Sequence, residues 1–206
     1  MSLRIYGNRL LKTLPGLDTR PTPARVRQAL FNIWQGKIAD CRWLDLCTGT
    51  GAMGAEALCR EAALVIGIEQ SAKACAVIQQ NWQQVVKPDQ SFQVLRGRVE
   101  QRLPQLARQL GQQLGQQARF DRIYFDPPYA SELYEPVLSA IVHYQLLSDR
   151  GELAAEHSPD RPSPLVPGLV LVRQKLYGST TLSFYCNAQA DRTVDAAESA
   201  VESIDE

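Results

Sequence analysis

The sequence has few of the residues from which metal sites, disulfide frameworks and membrane spans are built. Its five cysteines form no Cys-x-x-Cys pair and there are only two histidines, so we expect neither a zinc site nor a disulfide framework. No apolar run approaches the roughly 18 residues of a membrane-spanning helix, and the first residues do not resemble a signal peptide. These absences predict a protein with no metal, no membrane association and reduced thiols, located in the cytoplasm.

A net charge of either sign is also missing, because 22 basic residues balance 22 acidic ones. The balance hides a separation of charge along the chain. Residues 1–37 carry seven basic residues against Asp18 alone, whereas residues 188–206 carry six acids against Arg192. A basic arm is typical of a protein that binds a polyanion, although a solvated basic face with no partner is the alternative.

This charge pattern predicts three parts in the chain. Residues 1–37 form a basic N-terminal extension packed on the main domain, and residues 38–187 form that domain. Residues 188–206 are an acidic tail that we expect to be disordered. A chain of 206 residues with 45% hydrophobic content suits one main domain with a small appendage.

The main domain alternates between strand and helix patterns, which is typical of a mostly parallel sheet. We predict strands near 42–46, 64–69, 92–96, 121–126 and 151–156, with helices near 52–61, 71–86, 99–110 and 132–145. Residues 109–119 are rich in glutamine and glycine and predict a surface insertion. The runs 169–176 and 180–186 predict a closing antiparallel hairpin. The extension should hold a small hairpin around Gly7-Asn8, then a helix from Pro23 to Gln35 capped by Thr22.

The stretch Ile123-Tyr124-Phe125-Asp126-Pro127-Pro128-Tyr129 is the most informative part of the sequence. The two prolines end the strand and fix the turn, because proline has a fixed φ and no amide donor. The turn leaves a carboxylate and an aromatic ring at the carboxyl end of a strand, where open α/β sheets bind ligands. We predict that Asp126 and the Pro127 carbonyl accept hydrogen bonds from an exocyclic amine of a flipped base, on which Tyr129 stacks. An ordinary strand-to-helix turn is the alternative.

A glycine-rich turn follows the first strand of the main domain, in Asp45-Leu46-Cys47-Thr48-Gly49-Thr50-Gly51-Ala52-Met53-Gly54. Its spacing matches the dinucleotide fingerprint, and Glu69 follows Gly49 by twenty residues. Asp45 would crowd a pyrophosphate but could help to hold a cationic amino-acid end, and Glu69 could accept both hydroxyls of a ribose. These two acids favour S-adenosylmethionine over NAD. The predicted cofactor residues here are Asp45, Gly49, Gly51, Gly54 and Glu69.

The chain resembles the RsmD-type bacterial 16S rRNA guanine-N2 methyltransferases from about residue 4 to residue 186. The shared segments are Arg4-Ile5-x-Gly7, Thr19-Arg20-Pro21-Thr22, Arg25-Val26-Arg27-x-Ala29-Leu30-Phe31-Asn32, Leu44-Asp45-x-x-x-Gly49-x-Gly51-Ala52-x-Gly54-x-Glu56-Ala57-Leu58, Phe125-Asp126-Pro127-Pro128-Tyr129 and Lys175-x-Tyr177-Gly178-x-Thr180. The glycine-rich and Asp-Pro-Pro-Tyr segments occur in many methyltransferases. The N-terminal segments and the Lys-x-Tyr-Gly segment make the resemblance specific.

The resemblance implies a Rossmann-like class I methyltransferase fold, with a mostly parallel seven-stranded sheet, that uses S-adenosylmethionine. It implies a guanine of 16S rRNA as substrate, and we expect a monomer that acts within a small-subunit assembly particle. We expect five arginines of the basic extension to bind RNA: Arg4, Arg9, Arg20, Arg25 and Arg27. Where the family has Gly-Asp-Ala near the adenine amine, this chain has Gly97-Arg98-Val99, so we expect either that the adenine contact falls to the Val99 amide or that cofactor binding is weaker.

Other functions fit parts of the same pattern. An adenine-N6 methyltransferase acting on RNA or DNA would use the same Asp-Pro-Pro-Tyr turn, because that turn suits several exocyclic amines. The chain could also be a catalytically weakened assembly factor that binds RNA, which would explain why Arg98 stands where the family has an acid. An NAD oxidoreductase is disfavoured because no residues for hydride transfer accompany the glycines.

Overall fold

The computed structural model describes residues 2–13, 23–114 and 119–188. In these ranges the strands are β1 (Ser2–Ile5), β2 (Arg9–Lys12), β3 (Arg42–Leu46), β4 (Leu64–Glu69), β5 (Ser91–Arg96), β6 (Phe120–Phe125), β7 (Leu147–His157), β8 (Leu169–Tyr177) and β9 (Thr180–Asn187). The α-helices are α1 (Ala24–Ile33), α2 (Ala52–Cys59), α3 (Ala72–Val85), α4 (Val99–Leu114) and α5 (Tyr134–His143). The acidic tail beyond Ala188 lies outside the described residues.

Seven strands form one sheet in the order β5-β4-β3-β6-β7-β9-β8. Strands β5, β4, β3, β6 and β7 are mutually parallel, and β9 joins β7 and β8 in antiparallel pairing. The predicted fold is therefore confirmed. The chain order reverses between β3 and β6, and ligands of open α/β sheets bind at such a reversal, outside the carboxyl ends of the strands.

Apolar residues of the central strands alternate between the two faces of the sheet. Trp43 and Val65 pack in the core under α1, α2 and α3, whereas Leu44 and Ile66 pack in the core under α4 and α5. Both faces of a parallel sheet are normally covered in this way, which explains the almost continuously apolar strands. The sheet is a rigid platform that fixes the positions of the turns at its carboxyl edge.

The N-terminal extension contributes to the same core instead of standing apart. Its hairpin, β1 and β2, buries Leu11 and is attached to α3, where Asn81 accepts from the Lys12 amide at 2.9 Å and donates to the Lys12 carbonyl at 3.0 Å. Helix α1 stacks Phe31 on Trp43 of β3, with 5.4 Å between the ring centroids. These contacts pack the extension against α3 and β3 of the main domain.

Two details differ from the prediction. Helix α1 begins at Ala24, with Pro23 at the N-cap position in an extended conformation and not inside the helix; Thr22, the predicted cap, lies outside the described residues. Helix α4 continues to Leu114, so the predicted insertion 109–119 is helical in its first half. The buried residues Leu103, Leu106 and Leu110 continue one helical stripe into that segment, and this apolar periodicity outweighs its glycine and glutamine content.

Candidate active site

A cavity of about 950 Å3 opens at the carboxyl ends of β3, β4, β6 and β7. Seven of the residues predicted to act in catalysis or cofactor binding line it: Asp45, Gly49, Glu69, Val99, Asp126, Pro127 and Tyr129. Its volume lies at the upper end of the range of about 300–1,000 Å3 for small-molecule sites. The structure therefore brings the glycine-rich turn and the Asp-Pro-Pro-Tyr turn to one pocket.

The backbone of the glycine-rich turn is held in left-handed conformations. Gly49 and Gly51 have φ angles of 58° and 78°, and Cys47 has a φ of 61°. Thr48 fixes the turn from below, because its hydroxyl donates to the Asp45 carbonyl at 2.8 Å and its amide donates to the Ile68 carbonyl at 3.2 Å. The turn leads directly into α2, so the amides at the start of that helix face the cavity edge, where they favour negative charge.

Gly51 and Gly54 lie behind the residues of the turn that line the cavity, and their part in cofactor binding stays a prediction. Both lie against the Trp82 indole of α3, whose Nε1 donates to the Gly51 carbonyl at 2.7 Å. A Cβ atom on Gly54 would lie 2.3 Å from Cζ2 of Trp82, and one on Gly51 would lie 2.9 Å from its Nε1. These glycines are needed because the tryptophan fills the space under the turn.

Trp82 was not recognised in the sequence as part of the site. It is fully buried, and a Cβ on Gly67 of β4 would also lie 2.5 Å from its ring. One side chain therefore packs against the glycine turn, the start of α2 and the neighbouring strand. The only signal available was a tryptophan in a helix after a glycine-rich turn, and that pattern does not distinguish a support residue from ordinary core.

Asp45 is buried at the end of β3, and its Oδ2 accepts from the Gly54 amide at 3.0 Å. Burial raises the pKa of the Asp45 carboxyl well above its usual value; the Gly54 hydrogen bond opposes this rise and the nearby Glu69 adds to it. A buried acid at a cavity wall gains stability when a cation binds beside it, because the cation compensates for lost hydration. This fits the predicted contact with a cationic amino-acid end.

Glu69 ends β4 and is oriented by two backbone amides. Its Oε2 accepts from Gly49 at 3.0 Å and its Oε1 accepts from Ser71 at 2.7 Å. A carboxylate offers about four lone-pair sites, so these bonds fix the side chain and leave acceptor capacity for ligand hydroxyls. Glu69 therefore lines the cavity as a fixed acceptor, and its contact with ribose hydroxyls stays a prediction.

The Asp-Pro-Pro-Tyr turn continues β6 beside β3, where the Asp126 amide donates to the Leu46 carbonyl at 3.3 Å. Pro127 is buried, and the Pro128 carbonyl accepts from the Ser131 amide at 2.8 Å, which closes the turn. Tyr129 is 38% exposed, and its hydroxyl lies 2.9 Å from both Glu156 Oε1 and Thr180 Oγ1. Two contacts thus anchor a ring whose face remains open to a ligand.

Glu156 contributes a further carboxylate to the cavity. It lies near the end of β7, is 2% exposed and lines the cavity. Its carboxylate accepts hydrogen bonds from the hydroxyls of Tyr124 and Tyr129. A buried carboxylate held by two tyrosines beside Asp126 is a polar centre at the substrate end of the pocket.

The segment after β5 replaces the acid expected near adenine with Arg98. The Gly97 amide donates to the Glu69 carbonyl at 2.9 Å, and Val99 is buried against the cavity. Arg98 lines the cavity with a side chain that is 63% exposed, and it donates to Glu100 Oε1 at 2.8 Å. The proposed contact of the Val99 amide with adenine remains a prediction.

The basic extension divides into exposed and buried arginines. Arg4, Arg9 and Arg25 are exposed, and Arg20 lies outside the described residues. Arg27 is 2% exposed, with Nε 2.7 Å from Glu56 Oε2 and Nη2 2.8 Å from the Arg4 carbonyl. The assignment of Arg27 to RNA binding is therefore wrong: its charge is used inside the protein, against a buried glutamate of α2.

The residues present fit S-adenosylmethionine. Asp45 and the amides of the glycine-rich turn suit an amino-acid end, Glu69 suits ribose hydroxyls, and Ile68 and Val99 provide apolar walls for a base. Burial raises the pKa of the Cys47 thiol beyond its ordinary value, so Cys47 stays protonated and packs instead of acting as a nucleophile. Among the described residues no cluster of metal-binding side chains occurs, and no helix there has the length and apolar content to cross a membrane.

Comparisons with known proteins give one consistent assignment. The chain matches the family described as conserved hypothetical protein 95 over residues 3–186. YlbH of Bacillus subtilis (strain 168) is 32% identical over 178 residues, covering 86% of this chain and 92% of that protein. Ribosomal RNA small subunit methyltransferase D of Escherichia coli (strain K12) is 30% identical over 172 residues, covering 83% of this chain and 80% of that protein. The solved structure of yhhF from Escherichia coli has a TM-score of 0.73 at 26% identity and covers 91% of this chain and 98% of that one.

Proposed function

The chain belongs to the family described as conserved hypothetical protein 95, and from that membership we propose that it is an S-adenosylmethionine-dependent rRNA methyltransferase. We propose further that it methylates the N2 amine of a guanine in 16S rRNA. The resemblance seen in the sequence is confirmed at the level of the family. The name of the Escherichia coli relative, ribosomal RNA small subunit methyltransferase D, supports small-subunit rRNA as the substrate.

One observation carries the proposal: the Asp126 turn and the glycine-rich turn open into the same cavity from the neighbouring strands β6 and β3. A cofactor site and an amine-binding turn that share one pocket suit methyl transfer to an exocyclic amine. S-adenosylmethionine supplies an electrophilic methyl group on a sulfonium centre. The protein must then bring a weak nitrogen nucleophile into line with it.

Asp126 and the Pro127 carbonyl perform this positioning. The N2 lone pair of guanine is delocalised into the ring, so the amine attacks poorly in water. Hydrogen bonds from its two N–H groups to these acceptors hold the nitrogen with its lone pair directed at the methyl group, and such alignment lowers the barrier. As the new N–C bond forms, the sulfonium C–S bond breaks and the nitrogen becomes acidic. Asp126 or a water molecule then takes its proton.

Tyr129 and the exposed arginines bind the rest of the substrate. The anchored Tyr129 ring gives the flipped base a stacking surface, a contact that contributes about 1–3 kcal/mol per base in single-stranded RNA complexes. We propose that the exposed residues Arg4, Arg9 and Arg25 contact phosphates of the RNA. We propose that the enzyme acts as a monomer in the cytoplasm on an assembling small subunit.

Nucleoside analysis tests the proposal. Small subunits from cells lacking this enzyme are incubated with the protein and methyl-labelled S-adenosylmethionine, digested to nucleosides and analysed by mass spectrometry. We expect label in N2-methylguanosine, and mapping of the RNA then gives its position. Label in N6-methyladenosine would instead support the adenine-N6 alternative, which the same Asp-Pro-Pro-Tyr turn could serve. A chain that binds S-adenosylmethionine but transfers nothing would be an assembly factor.

A further inference from the structure

We propose that Glu156 selects guanine over bases with an unprotonated N1, by accepting a hydrogen bond from the guanine N1–H. This inference deepens the proposed function and rests on it. Asp126 accounts for recognition of an amine, but an amine alone does not distinguish guanine from other bases that carry one. A second group beside Asp126 must therefore distinguish a protonated N1 from an unprotonated one.

Strand register places Glu156 beside Asp126. Strands β6 and β7 run parallel, with Tyr124 opposite Ala154 and Phe125 opposite Ala155. Asp126 directly follows β6 and Glu156 is the next residue of β7, and neighbouring strands lie about 4.8 Å apart. Both residues line the cavity. Two carboxylates therefore stand side by side at the substrate end of the pocket.

The tyrosine contacts keep the Glu156 carboxylate in place. The Tyr129 hydroxyl donates to Oε1 at 2.9 Å, the Tyr124 hydroxyl donates to Oε2, and the Tyr134 hydroxyl donates to the Glu156 backbone carbonyl at 2.9 Å. Both carboxylate oxygens therefore accept from tyrosine hydroxyls, which fixes their orientation at the cavity. A carboxylate offers about four lone-pair sites, so an oxygen that accepts from a hydroxyl can also accept from a ligand.

Guanine presents two adjacent donors, N1–H and the N2 amine, to this pair of acceptors. Adenine presents an amine next to an N1 lone pair, which would face the Glu156 carboxylate and be repelled. A site built to pair with a donor rejects analogues that lack it, because a buried acceptor and a lone pair are left facing each other. The carboxylate pair therefore matches guanine and opposes adenine.

The test compares two bases that carry the same 2-amine. Small-subunit particles are reconstituted with 16S rRNA that carries either guanine or 2-aminopurine at the mapped position; 2-aminopurine has a lone pair at N1. The initial rate of methyl transfer is measured for each particle. For the unmodified enzyme we expect guanine to be preferred by at least ~30-fold. Equal rates would overturn the inference and leave the proposed function intact, whereas no methylation of guanine would overturn both.

Glu156→Gln is the informative variant, since its amide can donate to an N1 lone pair. We expect its preference for guanine to fall at least ~10-fold relative to the unmodified enzyme, with part of the change arising from faster transfer to 2-aminopurine. Glu152→Gln is the matched control: it makes the same change on β7, but its carboxylate contacts Trp34 and Lys37 instead of the cavity. It should keep the preference.

Two further outcomes decide the remaining cases. Calorimetric titration with S-adenosylmethionine shows whether Glu156→Gln is folded and binds the cofactor. If it binds normally but transfers to neither base, Glu156 serves turnover instead of selection, and the inference is overturned. If Glu156→Gln does not fold, the Glu156→Asp variant, which keeps a carboxylate, is measured in its place. We expect that variant to be slower on guanine with no gain on 2-aminopurine, and a gain on 2-aminopurine would contradict the inference.

Discussion

Arg27 offers a sharp test of how the N-terminal extension works. Its guanidinium is 2% exposed and is held by Glu56 and by the Arg4 carbonyl, so it links α1, α2 and β1 inside the protein. Breaking a buried ion pair by removing one partner typically costs about 3–5 kcal/mol. Here Glu56 keeps a second partner, Arg60, at 3.0 Å. We therefore expect Arg27→Ala to lower the free energy of unfolding by about 2–4 kcal/mol.

Thermal unfolding and RNA binding measure this effect separately. In a chain of this size, 1 kcal/mol shifts the midpoint by about 2–4 °C, so a loss of roughly 5–15 °C is expected for Arg27→Ala. Arg25→Ala is the matched control, because Arg25 lies on the same helix and is exposed. It should leave the midpoint unchanged and weaken RNA binding. An Arg27→Ala protein with an unchanged midpoint and weakened RNA binding would refute the reasoning and return Arg27 to the RNA interface.

Three further predictions concern the cofactor turn and the RNA surface. Gly54→Ala should destabilise the protein and weaken S-adenosylmethionine binding, because the new Cβ would displace Trp82; calorimetry showing normal affinity would contradict this. Asp45→Asn should raise the unfolding midpoint at pH 8 and weaken cofactor binding. The raised pKa of Asp45 means that the folded state loses stability as pH rises through that pKa, and an amide removes this loss. An unfolding midpoint that does not rise would argue against destabilisation of the folded protein by the ionised Asp45 carboxylate. Replacing Arg4 and Arg25 together with alanine should reduce the salt dependence of RNA affinity by about 0.7–0.9 per lost phosphate contact, and an unchanged slope would exclude them from the interface.

The sequence predicted the fold and the edge of the sheet where the site lies, since both follow from local patterns. Asp45, Glu69 and Asp126 each lie at or next to the carboxyl end of a strand, and parallel strands bring these ends together. The strand-helix alternation and the proline pair therefore predict that these residues share one pocket.

What the sequence did not reveal depends on contacts between distant residues. Gly54 and Trp82 are separated by a strand, and the reason for the glycine appears only when the indole is seen against it. Arg27 looked like its neighbour Arg25, because helix periodicity does not show that Glu56 faces it from α2. The position of Glu156 beside Asp126 follows from strand register, and two tyrosine hydroxyls fix the orientation of its carboxylate. Such pairings are set by packing and carry no local signature.

The central claim is that Asp126 orients the attacking amine and takes no part in holding the cofactor. Asp126→Ala tests it most directly, with S-adenosylmethionine affinity measured by calorimetry and methyl transfer to small subunits measured under single-turnover conditions. We predict cofactor affinity within a few-fold of the unmodified protein and no detectable transfer. Transfer at a normal rate, or a large loss of cofactor affinity, would contradict the account.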